Sequence, residues 1–186
     1  ESELLHRIEE LNQDDSVDGI LVQLPVPEHI NASRVTAAVS PSKDADGFHP
    51  DNLGKLFSRF ALLEPCTPVG IMAMLRAIGV DLTGKNAVVV GRSVIVGRPL
   101  SDLLLRANAT LTTCHRHTRD LKGFVERADV LVSAAGVRGL IRGEWVKPGA
   151  VVIDVGMNRD DDGKLCGDVE FDVAAGTDLG GTRIEG

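Results

Sequence analysis

Apolar residues near the start of the chain fall at Leu4, Leu5, Ile8 and Leu11, the rhythm of one helix face. Ser2 stands just ahead of them as the expected cap, and the polar run from Asn12 to Ser16 ends the pattern. Gly19-Ile20-Leu21-Val22-Gln23-Leu24 then reads as a buried strand. It stops at Pro25-Val26-Pro27, because proline cannot extend a ladder. Asn31 opens a short helix predicted to run through Val39, and residues 41–50 form a polar loop punctuated by proline and glycine. Thr67 as cap and Pro68 as first helical residue start a helix whose inward positions include Ile71, Met74, Leu75 and Ile78 and which Gly79 ends.

From there strands and helices alternate. Val88-Val89-Val90 runs into Gly91, and Leu100, Leu103, Leu104 and Ala107 carry a helix. Thr110–Cys114 is a strand, a helix is predicted around Asp120 to Arg127, and two further strands span Asp129 to Gly136 and Ala150 to Gly156. Near-continuous apolar strands separated by helices predict a parallel sheet covered on both faces. The fold class is therefore α/β: a Rossmann-type parallel sheet domain over residues 67–186 and a partial α/β substrate domain over 1–66. Gly91, Gly136 and Gly156 are each expected to close a strand and line one crevice with backbone. The stretch 176–181 reads as loose.

Composition narrows the function classes. The chain has 186 residues, enough to bury a core, and a net charge of −7, so a nucleic-acid footprint is not expected. No apolar run approaches a membrane span, and no basic-then-apolar leader opens the sequence. Cys66, Cys114 and Cys166 are few and lack CxxC spacing, which fits a reducing compartment. A cytoplasmic location is expected.

Candidate chemistry centres on Gly91-Arg92-Ser93-Val94-Ile95-Val96-Gly97-Arg98-Pro99, which reads as strand, glycine turn and helix start. Such a turn offers backbone N–H groups and a positive helix end to a phosphate. The spacing is not the common G-x-G-x-x-G fingerprint; Ser93 occupies the place of a glycine, with a hydroxyl to donate. An NAD site usually has an acidic residue about 20 positions past the first glycine. No Asp or Glu lies between Asp102 and Asp120, where Arg116 and Arg119 stand instead. Cations there favour a 2′-phosphate, hence NADP, although a solvated basic turn also fits. A metal held by Cys114, His115 and His117 is disfavoured, because residues so close on a strand end rarely converge without a fourth ligand.

In the first domain Gln23, polar within an apolar strand, either points into a crevice or ties down the Pro-Pro loop. Asp44 and Asp46 share one face of an extended segment, and for Asp46 an Asx-turn with Gly47 is the plain structural account.

Taken in order, Gly19–Pro27, Lys43-Asp44-Ala45-Asp46-Gly47-Phe48, Pro65-Cys66-Thr67-Pro68, the 91–99 turn, Val152–Asn158 and Gly167-Asp168-Val169 resemble the bifunctional methylenetetrahydrofolate dehydrogenase/methenyltetrahydrofolate cyclohydrolase family. The resemblance implies NADP-dependent oxidation of 5,10-methylenetetrahydrofolate and hydrolysis of the methenyl product to 10-formyltetrahydrofolate. It implies tetrahydrofolate derivatives as ligands in a cleft between two domains, a homodimer, and no nucleic-acid or membrane partner. Gln23 and Asp46 take catalytic roles by this resemblance, Gln23 beside the family's lysine and Asp46 on the pterin ring, with Leu24 and Pro25 also against substrate. Gly91, Arg92, Ser93, Ile95, Gly97, Arg98 and Pro99 become the NADP turn. His115, Arg116 and Thr118 take the ribose-phosphate end, Gly136 also meets the cofactor, and Met157 lies near the nicotinamide.

Two departures are visible. The family's lysine sits in a Tyr-x-x-x-Lys motif, whereas this sequence has no tyrosine and its lysines fall in other contexts. The family's closing proline- and glycine-rich segment is also not found. The expectation is a fragment that keeps an NADP site and catalyses poorly. The rivals are an NADP dehydrogenase for another small substrate, such as an amino acid or shikimate, and a non-catalytic nucleotide-binding module.

Overall fold

Ala87, Val88, Val89 and Val90 are all buried, so the strand that carries them needs neighbours on both edges and cover on both faces. The computed structural model, which describes residues 1–61, 63–170 and the backbone of 183–185, supplies the edges. This strand, β1 (Asn86–Val90), pairs in parallel with β2 (Thr110–Cys114) on one side and β3 (Val130–Ser133) on the other. Beyond β3 lies β4 (Val151–Asp154), also parallel. A further strand, Arg183–Glu185, joins the far edge of β4 in parallel, giving the sheet one more strand than the four expected. The strand order puts β2 on one flank of β1 and β3, β4 on the other. The chain therefore reverses direction across the sheet beside β1, the place where open α/β sheets bind ligands at their carboxyl ends.

Val88, Val90 and Leu131 share a cluster with Cys114, Val125, Ile141 and Val146, while Ala87 and Val89 alternate to the opposite face. Helix α5 (Gly97–Arg106) packs on β1 and β2 and buries Leu100, Leu103 and Leu104. Its Asp102 and Arg106 form a salt bridge one turn apart. The helix expected around Asp120 to Arg127 is shorter, α6 (Leu121–Val125), because Asp120 lies outside it as the cap, accepting from Gly123 N at 2.9 Å. The strands expected to end at Gly136 and Gly156 end at Ser133 and Asp154, where the backbone turns onto the Asp168 carboxylate and the Asp154 carboxylate. Past β4, β5 (Asn158–Arg159) and β6 (Leu165–Cys166) form a small antiparallel hairpin that the apolar pattern gave no reason to expect. The stretch 176–181 lies outside the described residues.

Contacts divide the chain into two units, Glu1–Cys66 and Thr67–Gly186. In the first, α1 (Ser2–Gln13) has Glu1 rather than Ser2 at its cap position, and no side chain caps it. Ile8 packs with Ile20, Val35 and Val39. Helix α2 (Ala32–Ala38) is capped by Asn31, whose side chain accepts from Arg34 N. The expected strand over residues 19–24 is not formed: Ile20 alone makes a parallel bridge, to Asp44. A ladder needs a partner along its length, and among the described residues only the Lys43–Ala45 backbone offers one. The loop read from Pro41 to Pro50 instead ends in a helix, α3 (Pro50–Phe57), with Pro50 at its start and His49 accepting from Asp51 N. Helix α4 (Cys66–Ala77) starts one residue before the expected cap, so Thr67 is helical and Pro68 is the third residue, still within the first turn where its missing N–H does no harm.

Leu104 is fully buried and Leu105 is 54% exposed. Leu104→Ala is expected to lower stability by about 2–5 kcal/mol, and Leu105→Ala by about 0.5 kcal/mol or less. Urea unfolding followed by circular dichroism reads both; similar losses would show that α5 does not dock as described.

Candidate functional site

β1 ends at Val90 and the chain leaves the sheet at Gly91, which has φ +128°. A side chain at 91 would place its Cβ 2.3 Å from the carbonyl oxygen of Ala134, in the segment that follows β3. A Cβ at Gly97 would stand 2.3 Å from the Gly91 oxygen, so the turn closes on itself and only glycine fits at either end. The segments leaving β1 and β3 thus touch backbone to backbone where the strand order reverses.

Within the turn the hydrogen bonds are divided. Ser93 Oγ accepts from Val96 N at 3.2 Å and Gly97 N at 3.4 Å, and Arg98 N donates to the Ser93 carbonyl at 2.9 Å. The first N–H groups of α5 are therefore already engaged by Ser93. The Ser93 hydroxyl, having accepted, keeps its own proton to donate. The amides of Arg92, Ser93, Val94 and Ile95 donate to no acceptor among the described residues. Arg92, Ser93 and Arg98 are exposed, Ile95 is half-buried, and Gly97 and Pro99 are buried beneath the turn. The stretch is thus neither covered by other side chains nor a continued strand.

At the end of β2, His115 N donates to Thr118 Oγ1 (2.9 Å) and Thr118 N to the His115 carbonyl (2.7 Å), closing a tight turn. Arg116 is exposed at its tip, with Nε 3.2 Å from His117 Nε2. Cys114 beneath is buried, and burial pushes its thiol above the usual range. Arg92 and Arg116 stand on neighbouring turns because β1 and β2 are adjacent. On the other flank, Gly136 has φ +66° and is exposed, and Met157 is 81% exposed. Gly136 does not close a strand; like Met157 it lies in the irregular segment beyond one.

In the first unit the two aspartates part company. Asp44 is 4% exposed, and its carboxylate accepts from Gly47 N (3.1 Å), His49 N (2.8 Å) and Asn52 Nδ2 (2.8 Å). The turn-forming role expected of Asp46 therefore belongs to Asp44, because the chain bends here rather than running extended. Asp46 accepts no hydrogen bond from a described residue. Burial, then the neighbouring Asp44 charge, raise its carboxyl above the ordinary carboxylate range. Gln23 is exposed, and its Nε2 donates to the Leu24 carbonyl at 2.9 Å, the loop-tying arrangement rather than a buried one. Pro25 follows through a cis peptide bond and is exposed, with Leu24 half-buried.

Sequence reasoning missed the structural weight of Asp44 and of Asp168, which is 0% exposed. Nothing in the local sequence separates either from the loop aspartates around it, since their partners are mainly backbone N–H groups.

Residues 65–179 match the family profile described as tetrahydrofolate dehydrogenase/cyclohydrolase, NAD(P)-binding domain, and residues 1–46 match that of the catalytic domain. Bifunctional protein FolD of Magnetococcus marinus is 58% identical over 171 residues, covering 92% of this chain and 60% of that protein. The crystal structure of the bifunctional FolD methylenetetrahydrofolate dehydrogenase/cyclohydrolase from Campylobacter jejuni superposes with a TM-score of 0.92 at 46% identity, over 99% of this chain and 64% of that one. The Trypanosoma brucei FolD, crystallised with NADP cofactor and inhibitor, gives 0.90 at 40% identity, over 100% and 65%. This chain thus spans about two thirds or less of the proteins it matches, and over that span it belongs to the tetrahydrofolate dehydrogenase/cyclohydrolase family.

Proposed function

We propose that this chain carries the NADP site and part of the folate site of an enzyme that oxidises 5,10-methylenetetrahydrofolate and hydrolyses the methenyl product to 10-formyltetrahydrofolate. The observation that supports it most is the turn at 91–97, with the amides of residues 92–95 unengaged where the strand order reverses. A pyrophosphate at that turn takes those N–H groups and the Ser93 hydroxyl proton, with Ile95 and Pro99 supporting the turn. Arg92 and Arg98 add charge beside it. His115, Arg116 and Thr118, at the end of β2, then meet the adenosine ribose, and Arg116 with Arg92 pairs with a 2′-phosphate. Gly136 and Met157 lie on the other flank, toward the nicotinamide. The NADP complex of the trypanosomal relative adds to this reading. NADP, when bound, accepts the hydride; the protein's part is to hold it against the folate carbon.

Asp46 serves as the pterin anchor: a half-buried carboxylate with no donor among the described residues has acceptor sites to offer ring N–H groups. Gln23, Leu24 and Pro25 form the edge against which the folate lies. The 186 residues contain no tyrosine and hence no Tyr-x-x-x-Lys pair, so taken alone they bind NADP and turn folate over slowly. A homodimer and a cytoplasmic location belong to the same proposal; among the described residues no helix is long and apolar enough to cross a membrane.

Arg92→Ala and Arg116→Ala are each expected to weaken NADP binding about tenfold or more while changing NAD binding little, because a charged hydrogen bond contributes about 1.5–3 kcal/mol. Titration calorimetry with both dinucleotides decides; equal losses for the two would remove the 2′-phosphate assignment. Cyclohydrolase turnover by the purified chain should fall about 10²–10⁴-fold below that of a full-length relative, the range of general acid–base catalysis. Turnover equal to the relative's would show that the lysine is dispensable.

The raised carboxyl of Asp46 gives a pH signature. A carboxyl whose folded value lies above its unfolded one penalises the native state when ionised, and the penalty vanishes below the unfolded pKa of about 3.9. Asp46→Asn is therefore expected to stabilise the protein at pH 7, with the gain shrinking as pH falls through the carboxylate range, and to weaken folate binding. Melting curves across pH test the first half; a gain independent of pH would mean that Asp46 carries no such strain.

A further inference from the structure

Asp168 lies in the segment after β6 and is completely buried, yet no cation pairs with it among the described residues. Its carboxylate is instead surrounded by donors. Oδ2 accepts from Ser133 Oγ (3.0 Å), Ala135 N (2.8 Å) and Gly136 N (3.2 Å). Oδ1 accepts from Val137 N (2.8 Å) and Asn158 Nδ2 (2.9 Å). One side chain thus gathers the last residue of β3, the amides of residues 135–137 in the segment that follows, and the residue next to Met157 beyond β4. A buried carboxylate is tolerated only where donors replace its water, and here they do.

Asp168 is itself fixed from β4. Asp154, the last residue of that strand, accepts from Asp168 N (3.0 Å), Val169 N (2.8 Å) and Gly156 N (2.9 Å). The fit leaves no slack: a Cβ at Gly156 would stand 2.1 Å from Asp168 Oδ1. None of these partners belongs to the 91–97 turn or to the 115–118 turn. The sheet order explains why that division matters. A dinucleotide whose pyrophosphate sits after β1 and whose adenosine end reaches β2 must lay its other half over the ends of β3 and β4.

We propose that Asp168 is the positioning residue for the nicotinamide half of the NADP site. It holds residues 135–137 and Asn158 in place while leaving the adenosine half to the other two turns. The proposal rests on the NADP reading above. In Asp168→Asn one acceptor oxygen becomes an NH2 group, and whichever oxygen is replaced, the new donors face N–H or O–H donors. The resulting rearrangement of the two segments is what cofactor affinity reports.

The test compares NADP with adenosine 2′,5′-bisphosphate, which has the adenosine end and no nicotinamide, by calorimetry on the 186-residue protein. Asp168→Asn is expected to weaken NADP about tenfold or more and leave the bisphosphate within about twofold. Asn158→Ala, which removes a single donor from the far side, is the second variant should Asp168→Asn fail to fold. It is expected to weaken NADP several-fold, again without changing the bisphosphate. Parallel loss of both ligands, or loss of neither, overturns the proposal. Failure of the unaltered protein to bind either ligand would instead overturn the NADP reading, and this proposal with it.

Discussion

The carbonyl of Ala134 stands where a side chain on residue 91 would have to go. That contact lets the segments leaving β1 and β3 come together at the carboxyl edge of the sheet, and much of the candidate site depends on it. Because Gly91 passes so closely, the chain swings directly into a turn whose far end, Gly97, packs back onto the Gly91 carbonyl. The helix α5 then starts with its first amides already satisfied by Ser93, so the groups left to meet an anion are those of the turn itself. This differs from the simplest picture of a phosphate at a bare helix end. The helix still contributes its dipole, but the directional N–H groups come from residues before it.

The aspartates divide by what surrounds them. Asp44, Asp154 and Asp168 each accept three or more hydrogen bonds, mostly from backbone amides, and each fastens a bend that no regular ladder would hold. Asp46, two residues from Asp44, has none of this and bears both burial and its neighbour's charge. Carboxylates of the first kind build the fold. One of the second kind is an energetic liability in the free protein, and perturbed groups of that sort gather where ligands bind.

In the second unit β1, β3 and β4 were legible because they are almost wholly apolar, and α5 because it carries a helical stripe; β2 matches residue for residue. The family was legible for a different reason, an ordered set of short motifs, and the matching profiles agree with it. The first unit read less well. The pattern at 19–24 is that of a strand, but strand formation is settled by neighbours, and one bridge is all that Ile20 obtains. Helix α3 escaped notice because Gly54 interrupts a stripe barely two turns long, and its buried residues are only Asn52 and Leu56. Asp168 was visible as part of a motif and invisible as a hub. Most of its partners lie 31–35 residues earlier, a separation over which no local pattern carries information.

Lys43 shows how far such distant tethering reaches in the first unit. Its ammonium donates all three protons, to the carbonyls of Leu11 (3.0 Å), Asn12 (2.8 Å) and Asp14 (2.8 Å), where α1 comes to an end. An amine so fully occupied is a splint and not a spare base: freeing it to shuttle a proton would strip the helix end of its cap. The same splint makes the opening helix a strut for the acidic bend that begins at the very next residue.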